Sequence, residues 1–184
     1  AIGAIDISRA QALAGVKHIL TGPEVRELSD PLTVLRPVPG APDLPFYALA
    51  QERALHEGQP VVSVVATSRA VAEDALEVID IDYEPLPHLS GTLDTLAENA
   101  PVLHSDVMKS NLLSAHEDRM GEPEARMADA EMIAEGRFYI NRVSALPMET
   151  RGIVAVWRPA ARELLIYAAT QTPHLVRQQF AESL

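Results

Sequence analysis

The residues of this sequence with the clearest chemical potential are two groups of charged side chains. Asp80, Asp82 and Glu84 alternate with apolar residues, and carboxylates are the ligands that Ca²⁺ and Mg²⁺ prefer. On a strand, however, residues two apart lack the loop in which such ligands converge, so we interpret this group as a solvated acidic face. Glu149 and Arg151 stand two residues apart among apolar residues, and we interpret them as structural charges at a bend between two strands.

Other catalytic and metal-binding patterns are missing from the sequence. The chain has no cysteine, which excludes disulfides and cysteine-bound iron–sulfur clusters within it. Its six histidines are scattered, and its nine glycines form no phosphate-binding loop. A net charge of -11 argues against nucleic acid as a partner. No apolar run reaches the roughly 20 residues that span a bilayer, so we expect no membrane span.

The first half of the chain predicts short helices and strands in alternation. Ser8 begins a capping box, which predicts a helix over residues 9–14 that ends at a left-handed Gly15. A strand is predicted over residues 16–20. The prolines of residues 29–46 predict a long surface loop, because proline removes a backbone donor and restricts its predecessor.

Residues 57–87 carry the most regular pattern of the chain. The valine-rich residues 61–65 predict a strand, which we interpret as central in a sheet because it is apolar on both faces. Ser68 is predicted to cap a helix over residues 69–78. Residues 79–84 alternate with a period of two and predict a strand with one wet face. The buried stripe of the helix is predicted to comprise Val71, Ala75 and Val78.

The pattern changes to a β-meander after the irregular residues 88–130. Alternation over residues 131–143 predicts the first strand of this meander. Residues 153–157 and 164–167 predict a hairpin. A final helix is predicted to begin at Pro173, because proline suits the first helical position.

Three of these stretches resemble signature segments of one enzyme family. Residues 57–87 are similar to the alpha/beta hammerhead of the xanthine dehydrogenase / aldehyde oxidase family of molybdenum hydroxylases. Residues 134–157 and 170–177 are similar to the opening of the molybdopterin-binding domain in the same large subunit. The resemblance covers nearly the whole chain. It implies an α+β fold, with an alpha/beta hammerhead domain followed by the first β-meander and helix of a molybdopterin-binding domain.

The resemblance also implies a domain organisation. It places the hammerhead at residues 1–90, a linker at residues 91–130 and the start of the molybdopterin-binding domain at residues 131–184. The chain opens in strand-like sequence and its final helix has no stop signal, so we interpret both domains as truncated and the chain as an internal fragment.

Members of this family hydroxylate small molecules at a molybdenum centre. The resemblance implies oxidation of an aldehyde, an N-heterocycle or a similar substrate, with water as the oxygen source, by a cytoplasmic hetero-oligomer. The implied cofactor is molybdopterin in its cytosine dinucleotide form, with iron–sulfur clusters and FAD on other subunits or domains. In the family pattern the catalytic glutamate and the Gly-Gly-Phe-Gly loop lie after the position of Leu184. We therefore expect this chain to be scaffold, and inactive by itself.

Two residues are implied to lie near the cofactor. Residue 143 is implied to face the metal centre, where a Gln side chain would donate a hydrogen bond. Val143 cannot donate one, which disfavours a purine oxidase and leaves this contact missing or supplied from elsewhere. Gln171 follows Thr170 in a recurrent Thr-Gln pair and is a candidate for the wall beside the cofactor. The alternative hypothesis is a non-catalytic assembly or interaction module that retains the hammerhead scaffold.

Overall fold

The computed structural model describes residues 1–32, 38–141, 143–144 and 146–184. These residues divide into two units. The first unit comprises residues 1–114 together with 174–184, and the second comprises residues 115–173.

The first unit alternates strands and helices, as the sequence predicts. Its two sheets are antiparallel pairs, in which β1 pairs with β4 and β2 pairs with β3. A 3₁₀ turn follows at Asp94–Leu96. The elements in chain order are β1 (Ile2–Asp6), α1 (Ser8–Gln11), β2 (Val16–Thr21), α2 (Gly22–Leu28), β3 (Val62–Ala66), α3 (Arg69–Glu77) and β4 (Asp80–Tyr83).

The core of the first unit is small and is built around two alanines. Ala10 of α1 and Ala75 of α3 are both 0% exposed, and Ile19 of β2 lies with them. Side chains this small let the two helices and the strand approach closely, and any added methylene must displace a neighbour. The predicted stripe of α3 is confirmed, since Ala75 is buried while Val71 and Val78 are half-buried. The half-buried residues packed around the core are Ile7, Leu13, Val16, Val62, Val64, Val78 and Ile79.

The cap predicted for α3 is also confirmed. The Ser68 hydroxyl accepts a hydrogen bond from the Val71 amide at 3.3 Å, which satisfies one of the free donors at the helix start. Arg69 and Glu73 form an ion pair one helical turn apart, with 2.7 Å between Nε and Oε1. This pairing keeps the exposed face of α3 charged and leaves its apolar face to the core.

The start of α1 differs from the prediction. Ser8 is the first residue of the helix rather than its cap, and the carboxylate of Asp6 accepts the Ser8 amide at 2.9 Å. Hydrogen bonds from the side chain and the backbone of Ser8 hold the pKa of Asp6 below its ordinary value of 3.8. The predicted capping box is wrong because the carboxylate of Asp6, two residues earlier in the chain, accepts the Ser8 amide and the helix begins at Ser8 itself. Gly15 does take the predicted left-handed conformation, with φ of +100°.

The valine-rich strand β3 is not central in the part of the chain that the structure describes. Its only strand neighbour there is β2, with Ile19 paired to Val64 and Leu20 to Ser63. Val64 packs against the core, whereas Val65 is 46% exposed on the opposite face. The prediction of a central strand is wrong, because apolar side chains on both faces do not require a second strand neighbour. Here the helices cover one face of the β2–β3 sheet and leave the other face open.

Helix α2 was not predicted from the sequence. It begins directly after β2, with Gly22 and Pro23 in its first turn. A Cβ atom on Gly22 would lie 2.1 Å from the Ala50 carbonyl oxygen, so only glycine allows the helix start to pack against this backbone. Proline at the start of the helix was the signal available in the sequence. The contact partner at Ala50 is too distant along the chain for a local pattern to reveal it.

The irregular residues before the second unit are ordered by one side chain. The side-chain oxygen of Asn111 accepts a hydrogen bond from the Leu103 amide at 2.9 Å. The side-chain NH₂ group of Asn111 donates to the backbone carbonyl oxygens of Thr95 at 3.2 Å and Pro101 at 3.0 Å. These bonds close the loop against itself. Part of the predicted linker of residues 91–130 thus belongs to the first unit.

The second unit contains α4 (Pro123–Ala128) and a hairpin of β5 (Ile153–Arg158) and β6 (Glu163–Ala168). The hairpin is confirmed, and Arg158 and Glu163 face each other across its end at 3.0 Å. The strand predicted over residues 131–143 is wrong in its described part, which forms no strand. A strand needs a neighbour to exchange hydrogen bonds with, and no described residue provides one here. The final helix, α5 (Pro173–Ser183), begins at the predicted proline.

We predict that Ala75→Leu destabilises the first unit by about 1–3 kcal/mol, because the core around Ala10 has no room for the larger side chain. Urea unfolding of the chain measures this loss. Asp74→Leu places the same side chain on the exposed face of α3 and should change stability by less than about 0.5 kcal/mol. Equal losses in the two variants would contradict the packing described here.

A pH titration of stability tests the cap of α1. The pKa of Asp6 is lower in the folded chain, so its contribution is fully present above the unfolded value of 3.8 and is lost as pH falls through the folded value. Wild type should therefore be more stable than Asp6→Asn at neutral pH, and the difference should shrink as pH falls below 3.8. Ser8→Ala should retain part of this pH dependence, because the backbone hydrogen bond remains. A difference that stays constant over this range would contradict the role of Asp6.

Candidate functional site

Gln171 lies at the junction between the hairpin and the last helix. Strand β6 ends at Ala168, and α5 begins at Pro173. Between them the Thr170 hydroxyl accepts the Thr172 amide at 3.1 Å, which closes a tight turn around Gln171. The Gln171 side chain is exposed, and among the described residues none forms a hydrogen bond with its amide group. The turn therefore holds a neutral side chain, with both a donor and an acceptor, open to a ligand.

Val143, unlike Gln171, has no side-chain hydrogen-bond donor or acceptor. Its side chain is 88% exposed, so it packs against little in the described part of the chain. Its close neighbours Arg142 and Ala145 lie outside the described residues. The structure consequently does not join Val143 and Gln171 in one pocket.

Glu149 and Arg151 do not form a site in this structure. The chain bends at Met148 and Glu149, as predicted, and both charged side chains are exposed. Neither takes part in an ion pair within the described residues. The interpretation of these two residues as structural charges therefore stays a prediction.

The acidic residues of β4 also behave as the sequence predicts. Asp80, Asp82 and Glu84 are exposed, and Asp80 lies 3.9 Å from the Arg9 guanidinium. In the described ranges, no cluster of three or more histidine or carboxylate side chains is arranged to hold a metal ion. The predicted exposure of these three carboxylates is confirmed.

The first unit contains a cleft that sequence reasoning missed. Its volume is about 250 Å³, and its walls come from three distant segments. The Arg26 guanidinium lies 6.0 Å from the ring centroid of Tyr47, and Arg53 pairs with Asp106 at 3.3 Å. These contacts connect the loop after α2 to α2 itself and to residues beyond β4. Contacts between residues so far apart in the chain cannot be predicted from a local sequence pattern. We assign the cleft a structural role.

None of the helices in the described residues has the length and apolar character needed to cross a membrane.

Comparisons with known proteins match the two halves of the chain separately and in order. Residues 1–87 match the family described as "Aldehyde oxidase and xanthine dehydrogenase, a/b hammerhead domain". Residues 103–184 match the family described as "Molybdopterin cofactor-binding domain". The chain belongs to the xanthine dehydrogenase / aldehyde oxidase family of molybdenum hydroxylases.

Individual members of this family align with nearly the whole chain. The carbon monoxide dehydrogenase large chain of Afipia carboxidovorans is 34% identical over 96% of this chain. The nicotine 6-hydroxylase large subunit of Paenarthrobacter nicotinovorans is 29% identical over 96% of it. The crystal structure of quinoline 2-oxidoreductase from Pseudomonas putida 86 superimposes with a TM-score of 0.88, at 36% identity over 98% of this chain.

This chain spans only part of the length of these relatives. It covers 23% of the carbon monoxide dehydrogenase large chain, 21% of the nicotine 6-hydroxylase subunit and 23% of the quinoline 2-oxidoreductase chain. The predicted fold class is confirmed, since the mixed helices and strands superimpose on solved molybdenum hydroxylases.

Proposed function

We propose that this chain is the hammerhead and the first part of the cofactor-binding domain in the large subunit of a molybdenum-dependent hydroxylase. The observation that carries this proposal is the order of the two family matches along one chain. The chain spans less than a quarter of its relatives, so it supplies scaffold and part of a cofactor wall rather than a complete active site. We propose a hammerhead at residues 1–90, a linker at residues 91–130 and the cofactor-binding part at residues 131–184.

The proposed substrate is an aldehyde, an N-heterocycle or a similar small molecule, oxidised with water as the oxygen source. Relatives named as a nicotine 6-hydroxylase and a quinoline 2-oxidoreductase support the N-heterocycle class. The 6-hydroxypseudooxynicotine dehydrogenase complex, in which another relative is subunit gamma, supports a hetero-oligomer. We further propose molybdopterin cytosine dinucleotide as the cofactor, iron–sulfur clusters and FAD on other subunits or domains, and a cytoplasmic location.

One candidate residue of this chain, Gln171, has a side chain that suits contact with the cofactor. A molybdopterin group carries oxygen and nitrogen atoms that need hydrogen-bonding partners, and bound molybdenum supplies the oxidation chemistry. Gln171 offers an exposed amide in a closed turn, with no partner among the described residues. Val143 offers only an aliphatic side chain. We therefore propose that Gln171 forms a hydrogen bond with the cofactor, and that Val143, which the structure does not join to Gln171, contributes at most a hydrophobic contact.

The test of the proposed function uses the complete large subunit produced with its partner subunits. We predict that the purified complex contains molybdenum and pterin, measured by elemental analysis and by fluorescence of the oxidised pterin. The same complex from a host unable to make the cofactor is the control and should contain neither. A stable complex that lacks both under permissive conditions would contradict the proposal and favour a non-catalytic assembly module.

Substitution of Gln171 tests the proposed cofactor contact. We predict that Gln171→Ala lowers kcat by roughly 10–100-fold, since loss of a hydrogen bond that orients a metal centre has effects of this size. Gln178→Ala removes an exposed amide of α5 that donates only to Glu182 of the same helix, and it should leave kcat unchanged. If Gln171→Ala and Gln178→Ala have equal kcat values at equal molybdenum content, Gln171 has no such contact.

A further inference from the structure

Helix α5 follows the second unit in sequence but belongs to the first unit. Residues 1–114 and 174–184 form the first unit, and residues 115–173 lie between these two stretches of the chain. We propose that the first unit carries a docking surface for one amphipathic helix and that α5 is its occupant. Residues 115–173 are then an insertion into a single folding unit, whereas the family match to residues 103–184 places α5 in the cofactor-binding domain. This inference concerns the folding of the chain alone and does not depend on the proposed function.

One face of α5 is shielded from solvent, and the rest of the helix is exposed. The shielded residues are spaced by four within two adjacent rows, which makes a continuous stripe along the helix. The apolar members of the stripe are half-buried, and Ser183 at its end is 6% exposed. A helix without a packing partner would be exposed on all sides, so this pattern indicates a docked helix. The residues of the stripe are Leu175, Val176, Gln179, Phe180 and Ser183.

The C-terminal end of α5 contacts the proline-rich segment of the first unit. The carbonyl oxygen of Ser183 accepts the Asp30 amide at 3.0 Å. A buried carbonyl at a helix end costs free energy when it has no donor, so the Asp30 amide stabilises this end. The neighbouring Glu182 lines a cleft of about 310 Å³ together with residues 30–32 and 43–45. We call residues 29–32 and 38–46 the docking loop.

The docking loop is held in place by contacts within the first unit. Ser29 donates both its amide and its hydroxyl to the Val25 carbonyl oxygen, each at 3.0 Å, and Val25 is buried in α2. The Leu32 amide donates to the Phe46 carbonyl oxygen at 2.7 Å, which joins the two parts of the loop. None of these contacts involves α5. The first unit therefore builds the surface from its own residues, and α5 binds to it as a separate segment.

A long insertion before α5 is compatible with this docking. The entropic cost of bringing two chain segments together grows only with the logarithm of the length between them. The stripe of α5 and the hydrogen bond at its end therefore need to offset a cost that residues 115–173 increase only slightly. This predicts that α5 stays docked even when the chain is cut within the insertion.

The experiment cuts the otherwise intact chain within the insertion. The recognition sequence of a site-specific protease is inserted after Met120, which is 94% exposed. Cleavage leaves the docking loop on the N-terminal fragment and α5 on the C-terminal fragment. We expect the two fragments to elute together in size-exclusion chromatography, because α5 remains docked. Fragments that separate at the concentration of the uncut chain would overturn the proposal.

A matched pair of variants shows whether α5 holds the fragments together. Phe180→Asp places a charge within the stripe, and Ala181→Asp places the same charge at the next, exposed position of the helix. We expect Phe180→Asp to raise the Kd of the two fragments about tenfold or more, because a charge is costly to bury without a partner. Ala181→Asp should leave the Kd unchanged. Equal Kd values in the two variants would overturn the proposal, since contacts other than the stripe would then hold the fragments.

A milder variant tests the docking if the chain with Phe180→Asp does not fold. Asp30→Pro removes only the amide that donates to the Ser183 carbonyl oxygen. The preceding Ser29 is extended, with φ of -146° and ψ of 152°, which suits a residue before proline. We expect a Kd about two- to tenfold higher, as for loss of one hydrogen bond, and faster amide hydrogen exchange at residues 174–184 of the uncut chain. Unchanged exchange in these residues would overturn the docking of α5.

Discussion

The close contact between Ala10 and Ala75 is the constraint on which the first unit depends. Both side chains are fully buried, and they bring α1 and α3 onto β2 at Ile19. Because β2 leads directly into α2, this packing also fixes the helix that precedes the proline-rich loop. Few residues are fully buried in it, so each of these contacts carries a large share of the stability.

The second unit has a different physical character. None of its described residues is buried, and most of its large apolar side chains face solvent. In its described residues the regular structure is limited to one short helix and a hairpin, whose two strands pair with each other across a local turn. The alternating sequence of residues 131–143 has the pattern of a strand but no described partner. An apolar–polar period of two therefore predicts which side chains would share a face of a strand. The strand itself forms only when a second strand pairs with it.

Local signals in the sequence predicted most of the elements. The Ser68 cap, the valine run of β3 and the turn between β5 and β6 depend on residues close together in the chain. The failures concern contacts between distant residues, including the packing of Gly22 on Ala50 and the single strand neighbour of β3. The hydrogen bond from the Asp30 amide to the Ser183 carbonyl oxygen at the end of α5 is another contact of this kind. For the candidate site, the sequence identified Gln171 through family resemblance, and the structure added the turn that holds it.

The central claim is that Gln171 lies beside the cofactor, in the turn between the hairpin and α5. A high-resolution structure of the complete, molybdenum-loaded large subunit tests it most directly, through the distance from the Gln171 side-chain amide to the nearest cofactor atom. We predict a hydrogen-bond distance of about 2.7–3.2 Å. A separation beyond about 3.6 Å with no bridging water would contradict this account.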